Sequence, residues 1–507
     1  MQNRSIEKQR QTIQKKLDNG KTQLERNILG QFSTPFSLAY DILNFSKKYQ
    51  AHDSKIKLLD PAIGTGVFYS ALLASHSDDS IQEAKGFEID KYYGHPSSEL
   101  WKDEELEYLV SDFTKATVSE NKYNLIICNP PYVRHHHINE YKKDLQSKAY
   151  EVAGIKLSAL SGLYCYFMAL AHPWMEENGL AIWLIPSEFM DVNYGKEIKE
   201  YLTRKVKLLK IHRFEPDNVQ FDDATVTSAI VVFKNEIPDK DHKVEFSYGG
   251  TLADPEVIKN VSLVDLEKEK KWTRFPLSDV RVENNLSKLG DFFTVRRGIA
   301  TGDNKFFILS FDEINEFNLP ISQFRPILPS PKYLETTQIE ADENGFPLIK
   351  EKLFVLDCKL SFDEVRKKYP TLYSYLNKGI DEGVPERYLC KNRKSWFAQE
   401  NRKESSFYCT YIGRSNKEGS SPFRFISNQS KAIVSNSYLI LYPKPKLENA
   451  IRSNPSLYDP ILQALNSISS KSMTDEGRVY GGGMQKLEPK ELLKVVATEL
   501  DSIAMGF

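Results

Sequence analysis

The sequence has few cysteines and no long apolar run. Its five cysteines, among 507 residues, are scattered and never spaced as Cys-x-x-Cys. This usage argues against a disulfide framework and against a zinc site, so we expect no metal. The most apolar stretch, residues 179–186, is far shorter than the roughly 18 residues that span a membrane. The charged N-terminus lacks the apolar core of a signal peptide, so we expect a cytoplasmic protein without membrane attachment.

The sequence also lacks a net charge of either sign. Its 68 Lys and Arg residues almost balance its 69 Asp and Glu residues, which leaves a formal charge of −1. This balance excludes a wholly basic nucleic-acid binder, but it allows a local basic cleft. Hydrophobic residues make up 40% of the chain and charged residues 27%, as in folded globular proteins.

Alternating strand-like and helix-like patterns run from about residue 37 to residue 235. Buried strands are predicted at 57–60, 84–88, 123–128, 180–185, 208–212 and 228–233. The alternation is typical of an open α/β sheet, largely parallel and doubly wound in the Rossmann manner, with helices on both faces. Ligands bind such sheets at the carboxyl ends of the strands.

Changes of pattern divide the chain into four predicted segments. Residues 1–28 are polar and predict a helical arm, and residues 29–240 contain the alternating pattern. Residues 241–285 are charged and predict a connecting segment. Residues 286–507 are rich in aromatic residues, Pro, Gly and Ser, and we expect a second domain of mixed α+β type.

A glycine turn follows the first predicted strand, and two acidic residues come after it in the chain. The turn reads Asp60-Pro61-Ala62-Ile63-Gly64-Thr65-Gly66. Glycines allow the backbone to approach a ligand, but most such turns only connect a strand to a helix. Glu88, 22 residues after Gly66, suits ribose hydroxyls, and Asp112 with Phe113 suits an adenine. Together these three pieces predict a cofactor that contains a nucleoside.

The tetrapeptide Asn129-Pro130-Pro131-Tyr132 follows directly on the strand at 123–128. With the glycine turn upstream, it resembles the (Asn/Asp/Ser)-Pro-Pro-(Tyr/Phe/Trp) signature of S-adenosylmethionine-dependent amino-methyltransferases. The resemblance implies a methyltransferase sheet and S-adenosylmethionine as cofactor. The Asn129 side-chain oxygen and the Pro130 carbonyl would each accept one N–H of the target amine, in a loop that two prolines hold rigid. The Tyr132 ring would stack on the target base.

Further stretches resemble the TaqI-type gamma class of DNA adenine-N6 methyltransferases. Residues 30–35 match its Gly-x-(Phe/Tyr)-x-Thr-Pro element, which closes over the methionine end of the cofactor. Phe221 matches an aromatic residue that stacks on the second face of the target adenine, although a core phenylalanine before a strand is a serious alternative. The expected cofactor-binding residues are Thr34, Asp60, Pro61, Ala62, Gly64, Gly66, Glu88, Ile89, Asp112, Phe113, Asn129 and Pro131. The expected catalytic residues are Asn129, Pro130, Pro131, Tyr132 and Phe221.

The gamma class carries its DNA target-recognition domain at the C-terminus, where residues 295–307, 393–397 and 480–489 resemble segments of that domain. Between residues 391 and 431, nine Lys and Arg stand against three Asp and Glu, interleaved with aromatic residues. This mixture suits DNA contacts, but a solvated basic face over an aromatic core fits the composition equally well. The expected DNA-binding residues are Arg134, Arg296, Arg297, Arg393, Lys394, Trp396, Tyr480 and Gly482.

The resemblance implies methyl transfer to N6 of an adenine flipped out of duplex DNA, as the protective half of a restriction-modification pair. The expected partners are double-stranded DNA and a separate endonuclease that reads the same site without stable binding, and the protein would be a monomer. An RNA-adenine, protein-glutamine or cytosine-N4 methyltransferase stays open, as does a catalytically silent DNA-specificity protein. The run His135–His137 is not interpreted as a metal site, because three consecutive side chains do not easily converge on one ion.

Overall fold

A computed structural model describes residues 2–50, 54–138, 140–215, 227–277, 286–414, 421–480 and 483–504. The chain divides into two units, the first reaching residue 282 and the second beginning at residue 283, apart from residues 480–482. No helix within the ranges just given is both long and apolar enough to cross a membrane.

A nine-stranded mixed sheet forms the centre of the first unit. Its strands are β1 (Ile56–Asp60), β2 (Ile81–Phe87), β3 (Glu107–Leu109), β4 (Tyr123–Cys128), β5 (Met175–Pro186), β6 (Lys207–Arg213), β7 (Ser228–Lys234), β8 (Lys243–Tyr248) and β9 (Val257–Ser262). They lie in the order β3-β2-β1-β4-β5-β7-β6-β8-β9. Strands β3, β2, β1, β4 and β5 pair in parallel, whereas β7 is antiparallel to both β5 and β6. The predicted α/β class is confirmed.

The sheet extends beyond the segment that the sequence assigned to it. Residues 241–285 were expected to connect two domains, but β8 and β9 lie within this stretch and complete the sheet, with β8 parallel to β6. Most of β9 is exposed or half-buried at the edge of the sheet, and the stretch around it is rich in charged residues, as a linker would be. An edge strand with one solvated face needs few apolar residues.

Helices cover both faces of this sheet, and the sheet separates two cores. They are α1 (Gln2–Asn19), α2 (Gln23–Leu29), α3 (Phe36–Ser46), α4 (Val67–Ser75), α5 (Lys91–Trp101), α6 (Lys142–Ala153), α7 (Leu163–Ala171), α8 (Lys196–Arg204) and α9 (Leu263–Lys268). Along β4, Leu125 and Ile127 join the core under α3 and α4, whereas Ile126 and Cys128 join the core under α6 and α7. Successive side chains of a strand point to opposite faces, so a strand buried on both faces is apolar throughout.

The chain order of the strands reverses at β1, which lies between β2 and β4. In open α/β sheets a crevice forms at the carboxyl ends of the strands at such a switch point. Asp60 is the last residue of β1, Glu88 follows β2 and Asn129 follows β4. The topology therefore brings these three candidate residues to one edge of the sheet.

The second unit is of mixed α+β type, as expected. Its strands are β10 (Phe293–Arg297), β11 (Ile308–Ser310), β12 (Phe324–Ile327), β13 (Gln338–Ile339), β14 (Leu353–Leu356), β15 (Phe407–Thr410), β16 (Ile412–Arg414), β17 (Phe425–Asn428), β18 (Tyr438–Pro443), β19 (Arg478–Tyr480) and β20 (Met484–Lys486). They form three sheets, ordered β10-β18-β15-β17-β13, β11-β14-β12 and β16-β20-β19. Its helices are α10 (Leu289–Phe292), α11 (Asn304–Phe307), α12 (Phe311–Glu316), α13 (Phe362–Lys368), α14 (Pro370–Asp381), α15 (Tyr388–Lys391), α16 (Pro445–Ser453), α17 (Tyr458–Ser467), α18 (Ser470–Glu476), α19 (Pro489–Leu492) and α20 (Asp501–Ala504).

Gly66 allows the turn after β1 to pack against a buried tryptophan. Its φ of 89° lies in the left-handed region that favours glycine. The indole Nε1–H of Trp101 donates to the carbonyl oxygen of Thr65 at 2.9 Å. A Cβ atom on Gly66 would lie 2.4 Å from that Nε1. The second glycine of the turn is therefore required by packing inside the fold.

We expect Gly66→Ala to lower the free energy of unfolding by about 2–4 kcal/mol, because left-handed strain adds to overpacking against Trp101. Urea unfolding measures this loss. The matched control is Gly154→Ala, since Gly154 also has a positive φ, 64°, but a Cβ there meets only Lys205 Nζ at 3.7 Å. Equal losses in the two variants would contradict the packing role of Gly66.

Candidate cofactor and active site

A cavity of about 690 Å³ lies at the switch point of the large sheet, within the range of about 300–1,000 Å³ that is usual for cofactor sites. Ten of the twelve predicted cofactor-binding residues line it: Thr34, Pro61, Ala62, Gly64, Glu88, Ile89, Asp112, Phe113, Asn129 and Pro131. Asp60 and Gly66 do not. Over the part of the chain that is described, no three His, Cys, Asp or Glu side chains are grouped to hold a metal ion.

Gly64, the first glycine of the turn, leaves room in the cavity wall. Its φ is 55°, and a Cβ built on it would meet no atom within 4 Å. Since Gly64 lines the cavity, any side chain there would project into the space that a ligand occupies. The two glycines of the turn are thus required for different reasons. Gly64 leaves space in the cavity wall, and Gly66 allows close packing against Trp101.

Glu88 places a carboxyl group in the cavity wall. Burial raises its pKa to about 7, and the neighbouring charge of Asp90 adds to this rise, while backbone N–H groups counteract it. One such bond runs from the Asp90 backbone N–H to Glu88 Oε1 at 2.7 Å. A carboxylate in this position can accept further hydrogen bonds from ligand hydroxyls.

Asp60 lies beneath the turn and is only 1% exposed. Its Oδ1 accepts a hydrogen bond from the Ala62 backbone N–H at 3.1 Å. Its Oδ2 is buried and has no hydrogen-bond partner among the described residues. Burial raises the pKa of Asp60 to about 8, with a further contribution from the charge of Glu88. Asp60 therefore supports the turn from below.

The opposite wall of the cavity is apolar and aromatic. The buried ring of Phe113 has its centroid 5.4 Å from that of Phe87 and 5.5 Å from that of Phe167. Asp112 precedes it, and its Oδ1 accepts hydrogen bonds from the backbone N–H and hydroxyl of Thr114 at 2.9 and 2.7 Å. The capping bonds fix the position of the Asp112 carboxylate beside an apolar surface that can receive a planar ring.

The segment from Gly30 to Thr34, here called the strap, packs directly on the tetrapeptide. The Tyr132 backbone N–H donates to the carbonyl oxygen of Gly30 at 3.1 Å. A Cβ on Gly30, whose φ is 64°, would lie 2.4 Å from that nitrogen. The approach is possible only for glycine, which explains why Gly30 ends α2 at this point.

Asn129 is fixed by the strap. Its Nδ2 group donates to the Phe32 carbonyl oxygen and to Thr34 Oγ1, each at 3.0 Å. Because a carbonyl oxygen only accepts, these bonds determine which end of the amide is oxygen. The Oδ1 atom is buried and has no hydrogen-bond partner within the described ranges. Leaving a buried acceptor unpaired costs about 1–3 kcal/mol, so Oδ1 is poised to receive a donor.

Of the other predicted catalytic residues, Pro131 lines the cavity, whereas two others do not. Pro130 and Tyr132 do not line it, and the Tyr132 hydroxyl donates to the Leu184 carbonyl oxygen at 3.1 Å. Burial raises the Tyr132 pKa well above its ordinary value. The Tyr132 ring lies 5.5 Å from that of Phe32. Phe221 lies outside the described residues.

Sequence reasoning missed the contribution of α1. Its residue Gln14 lines the cavity together with Ser33 and Thr65, although residues 1–28 predicted no more than a helical arm. The only signal is the i, i+3 spacing of Glu7 and Arg10, and this spacing is equally typical of a solvated helix face.

The cations expected to contact DNA fall into two groups. Four are exposed: Arg134, Arg296, Arg297 and Lys394. Arg393 is half-buried, and it donates to the carbonyl oxygens of Ala300 at 2.5 Å and Trp396 at 3.4 Å. The first group is available to phosphates, whereas the Arg393 guanidinium bonds the chain's own backbone.

The aromatic residues of the second unit are largely internal. The Trp396 ring is half-buried and lies 5.7 Å from that of Phe306. The aromatic residues around it in the sequence are buried as well: Phe397, Phe407, Tyr408, Tyr411, Phe423 and Phe425. Tyr480, at the end of β19, is half-buried, and Gly482 lies outside the described residues. In residues 391–414 and 421–431, the stretch thus resembles a basic surface over an aromatic core.

Two family models match successive stretches of the chain. The Eco57I restriction-modification methylase model matches residues 7–220. The model of the C-terminal domain of the type II methyltransferase M.Eco57I matches residues 269–505. The first stretch includes the cavity, and the second includes all the elements of the second unit.

Two relatives are similar over most of their length. The type II methyltransferase M.AccI of Acinetobacter calcoaceticus is 28% identical over 495 residues, which cover 94% of this chain and 86% of the relative. The type II methyltransferase M.XamI of Xanthomonas campestris pv. amaranthicola is 25% identical over 462 residues, which cover 89% of this chain and 82% of that relative. The structure of the type IIL restriction-modification enzyme MmeI in complex with DNA has the same fold, with a TM-score of 0.52 and 15% identity over 84% of this chain and 64% of that chain.

The fold, the switch-point cavity and these similarities define an S-adenosylmethionine-dependent methyltransferase. The two family models together match most of the chain, and with the two relatives they identify a DNA methyltransferase of a type II restriction-modification system. The cavity fits the cofactor, because Gly64 leaves an open wall and Glu88 presents a carboxyl group to it. Of the substrates considered from the sequence, DNA is the one that this family modifies.

We expect Gly64→Ala to weaken S-adenosylmethionine binding at least about tenfold, or about 1.4 kcal/mol, because the new methyl group would occupy cofactor space. Isothermal titration measures the affinity. Gly154→Ala serves again as control, since it imposes the same backbone strain outside the cavity. Unchanged affinity in Gly64→Ala would show that this wall does not contact the cofactor.

The raised pKa of Asp60 predicts a dependence of stability on pH. The folded protein holds this proton more tightly than the unfolded chain, where the pKa is near 3.8 instead of about 8. The resulting penalty is absent below about pH 4 and grows by up to about 1.4 kcal/mol per pH unit until about pH 8. The free energy of unfolding of the unchanged protein should therefore fall between pH 5 and pH 8, and Asp60→Asn should remove the part of this fall that Asp60 causes. Urea unfolding at several pH values measures it. Identical pH profiles for the variant and the unchanged protein would contradict the raised pKa of Asp60.

Proposed function

We propose that the protein methylates N6 of an adenine in duplex DNA, within a sequence that residues 286–507 recognise. The buried Oδ1 of Asn129, which has no hydrogen-bond partner among the described residues, carries this proposal. An exocyclic amine presents N–H donors and matches such an acceptor. The resemblance to the gamma class supports adenine, whereas cytosine-N4 enzymes more often carry serine at the position of Asn129.

The strand order supports one orientation of the cofactor in the cavity. Strands β3, β2, β1 and β4 are consecutive neighbours. Asp112 and Phe113 after β3 would hold the adenine ring of the cofactor, and Glu88 after β2 would accept its ribose hydroxyls. The reacting end would then lie between the turn after β1 and Asn129 after β4. Bound there, S-adenosylmethionine would supply a methyl group from its positively charged sulfur, and the rest of the cofactor would be left as a neutral thioether.

Asn129 and Pro130 orient the target amine. The Asn129 Oδ1 atom and the Pro130 carbonyl oxygen each accept one N–H, which shifts electron density onto the nitrogen and aims its lone pair. The strap holds Asn129 through two hydrogen bonds, so the alignment is present before DNA binds. As the nitrogen–carbon bond forms and the carbon–sulfur bond breaks, the amine releases one proton to solvent.

A target base inside a duplex cannot reach Asn129, so it must rotate out of the helix. We propose that the rings of Tyr132 and Phe221 receive the extruded adenine on its two faces. The exposed cations Arg134, Arg296 and Arg297 would contact DNA phosphates, together with Lys394. Within the second unit, Arg393 and Trp396 would support its surface from within, because their side chains bond and pack internally.

The same proposal includes the biological setting. The protein would act as a monomer and protect DNA from a separate endonuclease that reads the same sequence. Type II methyltransferases similar along most of this chain support that setting.

The decisive experiment transfers a labelled methyl group from S-adenosylmethionine to plasmid DNA of mixed sequence. Nucleosides from the digested DNA are identified by mass spectrometry, and the modified positions are mapped. We expect N6-methyladenine within one recurring sequence. N4-methylcytosine would overturn the adenine assignment. Cofactor binding without any DNA methylation would indicate a silent specificity protein.

We expect Asn129→Ala to reduce methyl transfer about 100-fold or more, by analogy with the loss of one preorganised polar group in other enzymes. Binding of S-adenosylhomocysteine should fall by no more than about tenfold, because the variant loses the two hydrogen bonds to the strap but keeps the rest of the cavity lining. Asn121→Ala is the matched control, since Asn121 is an exposed asparagine shortly before β4. Near-normal transfer by Asn129→Ala would refute the role of its amide.

A further inference from the structure

A buried ion pair anchors α1 beside the glycine turn. Arg10 is 3% exposed and Glu7 is 8% exposed. The guanidinium donates through Nε and Nη2 to both carboxylate oxygens of Glu7, each at 2.8 Å. Burial alone would raise the pKa of Glu7, but hydrogen bonds from Arg10 and Ser70 hold it below its ordinary value. A buried ion pair contributes little net stability by itself, so its location suggests a positioning role.

The pair reaches the glycine turn through one hydroxyl group. The Arg10 Nη1 group donates to Thr65 Oγ1 at 2.9 Å, and that hydroxyl donates to Gln14 Oε1 at 2.5 Å. Because arginine has no acceptor, the direction of the first bond is fixed, and the orientation of the Gln14 amide fixes the second. Thr65 stands between Gly64 and Gly66, so α1 is bonded to the centre of the turn.

The amide of Gln14 has one defined orientation. Its Nε2 group donates to Asp18 Oδ1 at 2.9 Å and to Ser33 Oγ at 2.8 Å. A carboxylate only accepts, so the reversed amide would place two oxygens against each other. An amide oxygen accepts two hydrogen bonds, and Thr65 supplies one of them to Oε1. Gln14 lines the cavity, and its oxygen retains the capacity for one further donor.

The partners of Gln14 locate it along the cavity. Thr65 belongs to the turn after β1, and Ser33 belongs to the strap, whose neighbouring residues bond to Asn129 after β4. Asp112 and Glu88 follow β3 and β2, on the other side of β1. Thr65 and Ser33 therefore place the Gln14 amide between the turn and the strap, which is towards the reacting end. Its third partner, Asp18, also accepts a hydrogen bond from Tyr93 of α5 and marks the side of Gln14 that faces β2. The amino-acid part of the cofactor, with an ammonium group that is a donor only, would extend towards the reacting end.

We propose that Gln14 is a cofactor-binding residue that accepts a hydrogen bond from the α-ammonium group of the cofactor, and that Glu7 and Arg10 position it through Thr65. The assignment rests on the cofactor orientation given under the proposed function. It makes α1 a wall of the cofactor site, although the sequence of α1 carries no cofactor motif.

Two ligands separate this contact from general damage to the cavity. S-adenosylhomocysteine has the amino-acid part, whereas 5′-methylthioadenosine has the same nucleoside and thioether without it. We expect Gln14→Ala to weaken the first about tenfold and to leave the second within about twofold. The control is Gln9→Ala, an exposed glutamine of the same helix, which should change neither affinity. Unchanged S-adenosylhomocysteine binding, or equal losses for both ligands, would overturn the contact.

The orientation is tested separately with Glu88→Gln. If Glu88 binds the ribose, this variant weakens both ligands to the same extent, because both contain the ribose. A loss confined to S-adenosylhomocysteine would overturn the orientation itself. Failure of the Gln14 contact and failure of the proposed cofactor orientation therefore give different results.

The positioning role is tested at Thr65. Thr65→Ser keeps the hydroxyl and should retain S-adenosylhomocysteine affinity, whereas Thr65→Val removes both hydrogen bonds and should lose about as much affinity as Gln14→Ala. If the two residues act as one unit, Thr65→Val combined with Gln14→Ala loses no more than either change alone. Additive losses in the double variant would contradict positioning through Thr65.

Discussion

The two hydrogen bonds that Asn129 Nδ2 donates to the strap are the interaction on which the site depends. They use both donors of the amide, and they leave its oxygen buried with no partner among the described residues. One side chain thereby closes the strap over the cavity and presents an acceptor to the target. Gly30 makes the contact possible, because any side chain there would collide with the Tyr132 backbone.

Several acceptor groups lie in the cavity wall or directly beneath it. Asn129 Oδ1 and Asp60 Oδ2 are buried without hydrogen-bond partners over the described ranges, and burial raises the pKa of both Glu88 and Asp60. Such an environment is unfavourable for the protein alone and favourable for a ligand that brings donors and positive charge. S-adenosylmethionine has both. The same unpaired groups that are unfavourable for the protein alone therefore favour binding of this cofactor.

Much of the site is predictable from the sequence because Asp60, Glu88 and Asn129 end or directly follow buried strands, and the sheet edge then brings them together. The antiparallel insertion of β7 is not predictable, since an apolar run carries no strand direction. The role of α1 was missed because the spacing of Glu7 and Arg10 is the same on a solvated helix. Composition also suggested Arg393 and Trp396 as DNA contacts, but it cannot show that the Ala300 carbonyl and the Phe306 ring already engage them.

The strap and its partner are 97 residues apart in the chain, which has a consequence for biosynthesis. At about 5–20 residues per second, the ribosome finishes Asn129 roughly 5–20 s after Phe32. During that interval Phe32 and its neighbours are present without the asparagine that retains them. The nascent first unit can therefore begin to assemble β1 and β2 while the cofactor site is still incomplete, because the asparagine that holds the strap follows β4.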